Sequence, residues 1–373
     1  MTLQFMGMRF YPRIAKTLLC FVFAAFPLFF SGPGNAEIIF SAKVLGPVAN
    51  IYSVNESGEV RKITDNIRWR DLDADMSADG RLVFSSNRED NPRVDLNRTS
   101  EDFNIHLIER DGREPKKIVA SRDRELKPRF SPNGRDIAII RSGTRHRLLV
   151  AGADGKGERV LAEADELYDF SWSPDGRRIA LARRDGEKSG ILLVSADNSE
   201  PPLQLKNVNQ ALRIVSARWS PDGGKIAYIV HPLNGESRQL WVRHLDSGRE
   251  QRISPENLQI QQPPDWSADG KRLLYAALAD YRFRYDESTH KKVYEGAMHI
   301  YLSDLEGNHR QLTSREALHK SPVFSPDGRR IAFLYAPELD SRQLSLRTMD
   351  RDGGNENEWF GSVTRNSNLR WVQ

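Results

Sequence analysis

Cysteine is almost absent from this sequence: Cys20 is the only one in 373 residues. It lies inside an apolar run from Leu18 to Phe30, preceded by Arg9, Arg13 and Lys16 with no acidic residue and followed by Ser31-Gly32-Pro33-Gly34-Asn35-Ala36. A basic start, an apolar stretch of 13 residues and small residues after it describe a secretory signal over residues 1–36. Such a stretch is too short to cross a bilayer comfortably as a helix, and an uncleaved amphiphilic anchor is the alternative. A lipid-modified Cys20 fits less well, because the residue lies within the run rather than after it and follows Leu19. The exported chain would hold neither thiol nor disulfide, so its stability has to come from a core.

An excess of charge is also lacking. The formal net charge of +4 includes three basic and no acidic residues from 1–36, which leaves 52 basic against 51 acidic residues beyond them. A near-neutral chain without a basic run gives no ground for nucleic acid as a partner, nor for a membrane surface once the signal is gone. The eight histidines are scattered, with no His-x-His or His-x-x-x-His spacing, so no metal site is expected. No Gly-x-Ser-x-Gly elbow occurs, and the sequence leaves no room after its last strand for a hydrolase domain. No catalytic residue and no cofactor are therefore assigned.

What the chain does have is a four-residue turn that returns six times, at spacings of 42 to 58 residues. It reads Ser77-Ala78-Asp79-Gly80, Ser131-Pro132-Asn133-Gly134, Ser173-Pro174-Asp175-Gly176, Ser220-Pro221-Asp222-Gly223, Ser267-Ala268-Asp269-Gly270 and Ser325-Pro326-Asp327-Gly328. A large apolar residue precedes each Ser (Met76, Phe130, Trp172, Trp219, Trp266, Phe324) and a β-rich run follows each Gly. Proline presets φ, Asp or Asn accepts local backbone bonds and glycine supplies positive φ, which together make a hairpin. One hairpin cannot bury its own apolar face, so a recurring one predicts an array of blades.

Four strands per unit can be read, A to D, with the turn joining A to B. Strand B recurs seven times, from Ile38–Ser41 to Ile331–Leu334, and strand C seven times, from Ile51–Val54 to Leu344–Leu346. Six turns supply only six A strands. Asn368-Leu369-Arg370-Trp371-Val372 matches the A pattern and is expected to complete the unit that opens at Glu37, closing the ring. The 337 residues from Glu37 onward, over seven units, give about 48 each, an ordinary blade size. The expected fold is all-β: a seven-bladed propeller of four-stranded blades over 37–373.

Two B-to-C loops are long, Asn87 to Asp102 and Asp280 to Gly296, and both should decorate the same mouth. The second carries Tyr281, Arg282, Phe283, Arg284 and Tyr285, an interface composition, and Arg68, Trp69 and Arg70 in a connector should share that face. Two residues before each turn Ser, the order round the ring is Arg370, Asp75, Arg129, Ser171, Arg218, Asp265, Val323. Opposite charges on adjacent inner strands predict inter-blade ion pairs, or else a channel site for a charged ligand built on Asp75, Arg129, Arg218, Asp265 and Arg370. Asp71, Asp73 and Asp75 alternate, which puts three carboxylates on one side of an extended strand and invites calcium. Met76 stands where a calcium loop wants glycine, and the distal Glu is missing.

The segments from Ala217 to Tyr228 and from Ser321 to Phe333 resemble the WD40-like repeat of TolB-type propellers, and Ser303 to Thr313 is similar to its second half. The resemblance covers 37–373. It departs from TolB itself, which carries an α/β domain before six blades. The resemblance implies an exported, periplasmic, monomeric propeller that binds an envelope protein or peptide without catalysis. A propeller lyase or glycosidase acting on a saccharide in the channel is the alternative.

Overall fold

The computed structural model describes residues 36–43, 46, 48–88, 102–112, 114–205, 212–232, 237–288 and 290–372. The expected leader, except Ala36, and most of the Asn87–Asp102 insertion lie outside them. Every regular element among the described residues is a β-strand, and none is a helix long and apolar enough to cross a membrane.

The repeated turn is built the same way wherever it occurs. At Ser131 the backbone carbonyl accepts from Gly134 N (2.8 Å), and the hydroxyl donates to Asn133 Oδ1 (2.7 Å) while accepting from Asp136 N (3.0 Å). Ser173, Ser220, Ser267 and Ser325 repeat these bonds with an Asp in place of Asn133. The six glycines sit at φ between 64° and 86°, which is why the fourth position excludes a side chain. The first copy is one residue shorter, Ser77 N bonding to Arg81 O rather than to the next carbonyl.

Four antiparallel sheets have four strands each: the runs Asp71–Met76 to Lys116–Val119, Arg124–Phe130 to Arg159–Ala164, Glu166–Trp172 to Leu203–Gln204, and Leu212–Trp219 to Glu250–Arg252. The remaining 13 strands form one larger, mixed sheet. Inside it, two of the joins are single residue pairs, Met298 with Leu318 in parallel and Ala42 with Val363. The C-terminal strand Arg370–Val372 pairs antiparallel with Glu37–Ile39. Ser367 and Thr364 bond through their hydroxyls to the Ser41 backbone (2.8 and 3.1 Å), tying the two ends of the chain further.

The B and C strands read as unbroken apolar runs because both of their faces are covered. Ile137 and Ile139 pack with Val83 and Ile105 of the preceding sheet and with Phe130 of their own, whereas Ala138 and Ile140 pack with Phe170, Ile179 and Leu181 of the following one. The same alternation carries cores from each sheet to the next. One cluster joins Ala332, Leu334 and Leu346 to Ile38, Phe40 and Val54, from opposite ends of the sequence. Most A strands carry a register shift three to five residues before the turn, as between Leu72 and Asp75 or Leu126 and Arg129. Asp73 and Lys127 take positive φ there (55° and 53°).

Candidate functional site

Around the inner strands, the position two before the turn links neighbouring sheets in two alternating ways. Asp75 Oδ2, Ser171 Oγ and Asp265 Oδ2 accept from the backbone N–H of Phe130, Trp219 and Phe324 on the next sheet (2.8, 3.0 and 2.8 Å). Where an arginine stands instead, the following tryptophan reaches back: Trp172 Nε1 donates to Arg129 O and Trp266 Nε1 to Arg218 O, both at 3.2 Å. These tryptophans were legible as core residues, but their indole bonds were not, because nothing in the local pattern shows which carbonyl the next sheet presents.

Ion pairing at this level is selective. Arg370 Nε lies 3.3 Å from Asp75 Oδ1, as expected for neighbours of opposite charge. Arg218 turns instead to Asp169 (3.0 Å) and Phe170 O (2.8 Å), so Asp265 gains no salt bridge from it. Arg129 donates to Asp73 O (3.1 Å) and Pro128 O (2.7 Å), both carbonyls. Burial pushes the Asp265 carboxyl up to about 6, against the pull of the Phe324 amide, Arg370 and Arg218. Burial, with Arg370 next, draws Arg129 down to about 10. Among the described residues, Arg129 and Asp265 on the inner strands thus have no charged side chain as direct partner.

The three alternating carboxylates do not share a side. The shift between Leu72 and Asp75, with positive φ at Asp73, breaks the period of two, and each acid finds its own partner. Asp71, fully buried, is held by Arg88 (2.7 Å) and Ser86 (2.7 Å), Asp73 accepts from Asn368 (2.7 Å), and Asp75 goes to Arg370 and Phe130. Among the described residues no group of three or more His, Asp or Glu is arranged to hold a metal ion.

At the end of its sheet away from the repeated turn, Asp280–Gly296 is not simply the long B-to-C loop expected from the sequence. Arg272–Asp286 and Lys291–Asp304 form one long hairpin whose pairing runs out to Asp286 and Lys291. A bulge between Ala279 and Arg282 separates the part in the sheet from the part beyond it. Gly296 sits opposite at φ 99°, where a Cβ would lie 2.8 Å from Ala279 O. Alternating Tyr, Phe and Arg suit a two-stranded ribbon, which is why the segment pairs with itself.

The five hairpin residues divide by environment. Tyr281 packs against the core cluster of Ile38, Phe40 and Leu318. Arg282 is exposed, Arg284 pairs with Glu295 (3.0 Å), and Tyr285 is 52 % exposed. Phe283 pairs through its backbone with Tyr294. In the connector, Arg68 is exposed and Trp69 O accepts from Ala49 N (3.2 Å). Arg70 lies 5.7 Å over the ring of buried Phe103, which Arg124 covers at 5.5 Å.

The opposite, turn-bearing face holds a cavity of about 990 Å³ lined by Arg159, Arg177, Arg178, Asp175, Asp197 and Trp219 among others. Its lining comes from turn residues that recur from unit to unit, so no sequence signal set it apart.

A sequence profile of the family described as TolB beta propeller domain matches residues 93–292. An uncharacterized protein of Agrobacterium fabrum is 26% identical over 257 residues, covering 64% of this chain and 78% of that one. An uncharacterized peptidase of Bacillus subtilis, YuxL, is 28% identical over 215 residues; 55% of this chain aligns, but it spans only 28% of the peptidase. Among solved structures, an oligogalacturonate lyase from Vibrio parahaemolyticus superposes with a TM-score of 0.56 at 13% identity, covering 79% of this chain and 87% of the lyase. At that identity the likeness speaks to fold alone.

Proposed function

The chain belongs to the TolB beta-propeller family, and from that premise we propose that it is an exported, non-enzymatic propeller of seven blades that binds another envelope protein or a peptide at the mouth bearing the long hairpin. Seven blades are supported by the single-pair joins at Met298–Leu318 and Ala42–Val363, which divide the large sheet into three further groups of strands. Closure is supported by the pairing of Arg370–Val372 with Glu37–Ile39 and by the core shared between the two chain ends. Export to the periplasm rests on the basic and apolar leader over residues 1–36.

The observation that carries the binding reading is the hairpin itself. It extends past the bulge with Arg282, Arg284 and Tyr285 exposed, in a chain whose turns recur alike from unit to unit. Large rigid aromatics and bidentate arginines are what interface anchors require. Replacing Tyr285 and Arg282 with Ser is expected to leave melting unchanged and to weaken capture of envelope proteins at least tenfold, about 1.4 kcal/mol. Tyr281 is left intact because its ring packs on the core. Unchanged capture by the double variant, quantified by mass spectrometry, would remove this reading.

A channel enzyme acting on a saccharide is the second reading, favoured by one observation: the Asp265 carboxyl, raised to about 6, could hold a proton near neutral pH. Asp75, the other channel carboxylate, is already engaged by Arg370. Asp265→Asn without loss of any saccharide-cleaving activity would dismiss it.

A further inference from the structure

At the mouth end of the sheet that opens at Leu212, three cationic or potentially cationic side chains lie in a row across adjacent strands. Arg213 pairs with His231 between Leu212–Trp219 and Lys225–Pro232. The pairing of Val230 with Gln239 brings Arg238 beside His231 at the next step. By strand alternation His231 shares its face with Ala227 and Ile229, and Arg238 with Leu240 and Val242. That face packs on Leu258, Ile260, Tyr275 and Ala277 of the following sheet, which present no charge. Ile260 N bonds to Arg238 O (3.0 Å), fixing the two sheets against each other at this level.

No carboxylate among the described residues is paired with the row. Among the described residues neither Arg213 nor Arg238 has a carboxylate within salt-bridge distance, and Arg213 Nε is buried without a hydrogen-bond partner. Glu166, the carboxylate that feels Arg213, is taken by Arg184 (2.5 Å) and by Tyr168. Asp280 on the following sheet acts on His299 and Tyr301. The charges felt by His231 are Arg238 and Arg213, which add to burial in driving its proton off. All three side chains are half-buried, so they remain reachable from solvent. Two guanidiniums flanking an imidazole repel one another, and an oxyanion between them would turn that repulsion into charge-assisted hydrogen bonds.

We infer that Arg213, His231 and Arg238 form a subsite for an oxyanion, the carboxylate or phosphate group of a ligand, at the mouth between this sheet and the next. Arginine suits both groups because its planar fork bonds two oxygens at once. The subsite lies on different blades from the connector at Arg68–Arg70 and does not depend on the hairpin tip.

The test is titration calorimetry of the whole protein at fixed ionic strength with inorganic phosphate and, separately, with acetyl-dialanine as free carboxylate and as amide. Saturable binding of phosphate or of the carboxylate, but not of the amide, is expected. It should weaken at least tenfold in Arg213→Gln and in Arg238→Gln, each checked for native melting, and stay unchanged in Arg177→Gln on the opposite face. Preference between the two anions tells a phosphorylated ligand from a carboxylated one. Equal binding by the wild type and by either folded Gln variant, or no saturable binding of any anion, overturns the inference. The titration contains no protein partner, so its failure and a failure of envelope capture are separate results.

Discussion

Removing residues 368–373 tests how much the C-terminal strand holds. The truncation deletes the three residues that pair with Glu37–Ile39, and with them Arg370, whose guanidinium lies 3.3 Å from Asp75, itself 8 % exposed. It also deletes Leu369, 5 % exposed in the cluster that joins the chain ends, and Trp371, whose ring meets Trp359 edge-on at 6.3 Å. Loss of a buried leucine costs about 2–5 kcal/mol, and a half-buried tryptophan contributes a similar amount. Leaving Asp75 without its arginine adds about 1–3 kcal/mol. The sum, roughly 5–13 kcal/mol, is as large as the whole stability of an ordinary domain, about 5–15 kcal/mol. Truncated protein is therefore expected to melt at much lower temperature and non-cooperatively, and to aggregate through the uncovered edge of Glu37–Lys43. Leu369→Ala alone should cost about 2–4 kcal/mol in urea unfolding while keeping a single transition. A truncated chain that melts within a degree of the intact one would refute the reasoning.

Two further outcomes follow from buried charge. Arg141 bridges Glu125 (2.7 Å), which is fully buried, and Glu158 (2.7 Å), and burial holds the Glu125 carboxyl above its usual range even so. Arg141→Met should cost about 3–5 kcal/mol at pH 7. Because the folded pKa of Glu125 then rises further above the unfolded one, the penalty is complete above the folded pKa and relieved below it, so the gap to wild type in urea unfolding should narrow toward pH 5; a constant gap would contradict this. His106 and His319, 3 % and 1 % exposed, are drawn down to about 4, chiefly by burial. Both are neutral in the fold, so stability is full above about pH 6.5 and falls toward pH 4 by about 3 kcal/mol for each, as the unfolded chain takes up protons first. A His106→Phe, His319→Phe variant should show a flatter profile over that range, and an identical profile would count against the assignment.

The all-β fold and its repeated hairpins were legible because one local device, Ser-Pro-Asp-Gly, states strand, turn and strand in a dozen residues. Strands B and C followed from runs such as Ile179-Ala180-Leu181, whose two faces feed two different cores. The inner strands were less legible. Their bulges depend on how Asp73 or Lys127 is pulled toward the neighbouring sheet, so Asp71, Asp73 and Asp75 looked like one set of ligands and proved to have three sets of partners. Pairing within the hairpin was hidden by the same device, a bulge at Asp280 that interrupts the alternation Tyr281 to Tyr285 continues. Two residues past the strands Val60–Lys62, Glu250–Arg252 and His309–Gln311, the hydroxyls of Thr64, Ser254 and Thr313 accept from Ile51 N (2.9 Å), Leu240 N (2.9 Å) and Ile300 N (3.1 Å), so a side chain takes over where the backbone ladder stops.

The binding claim is tested most directly by placing a photo-crosslinking amino acid at Tyr285 and, in a second protein, at Arg177 on the turn-bearing face, then irradiating intact cells. Adducts with an envelope protein at Tyr285 and none at Arg177 are expected. Adducts at Arg177 alone would put the partner on the opposite face and contradict the account.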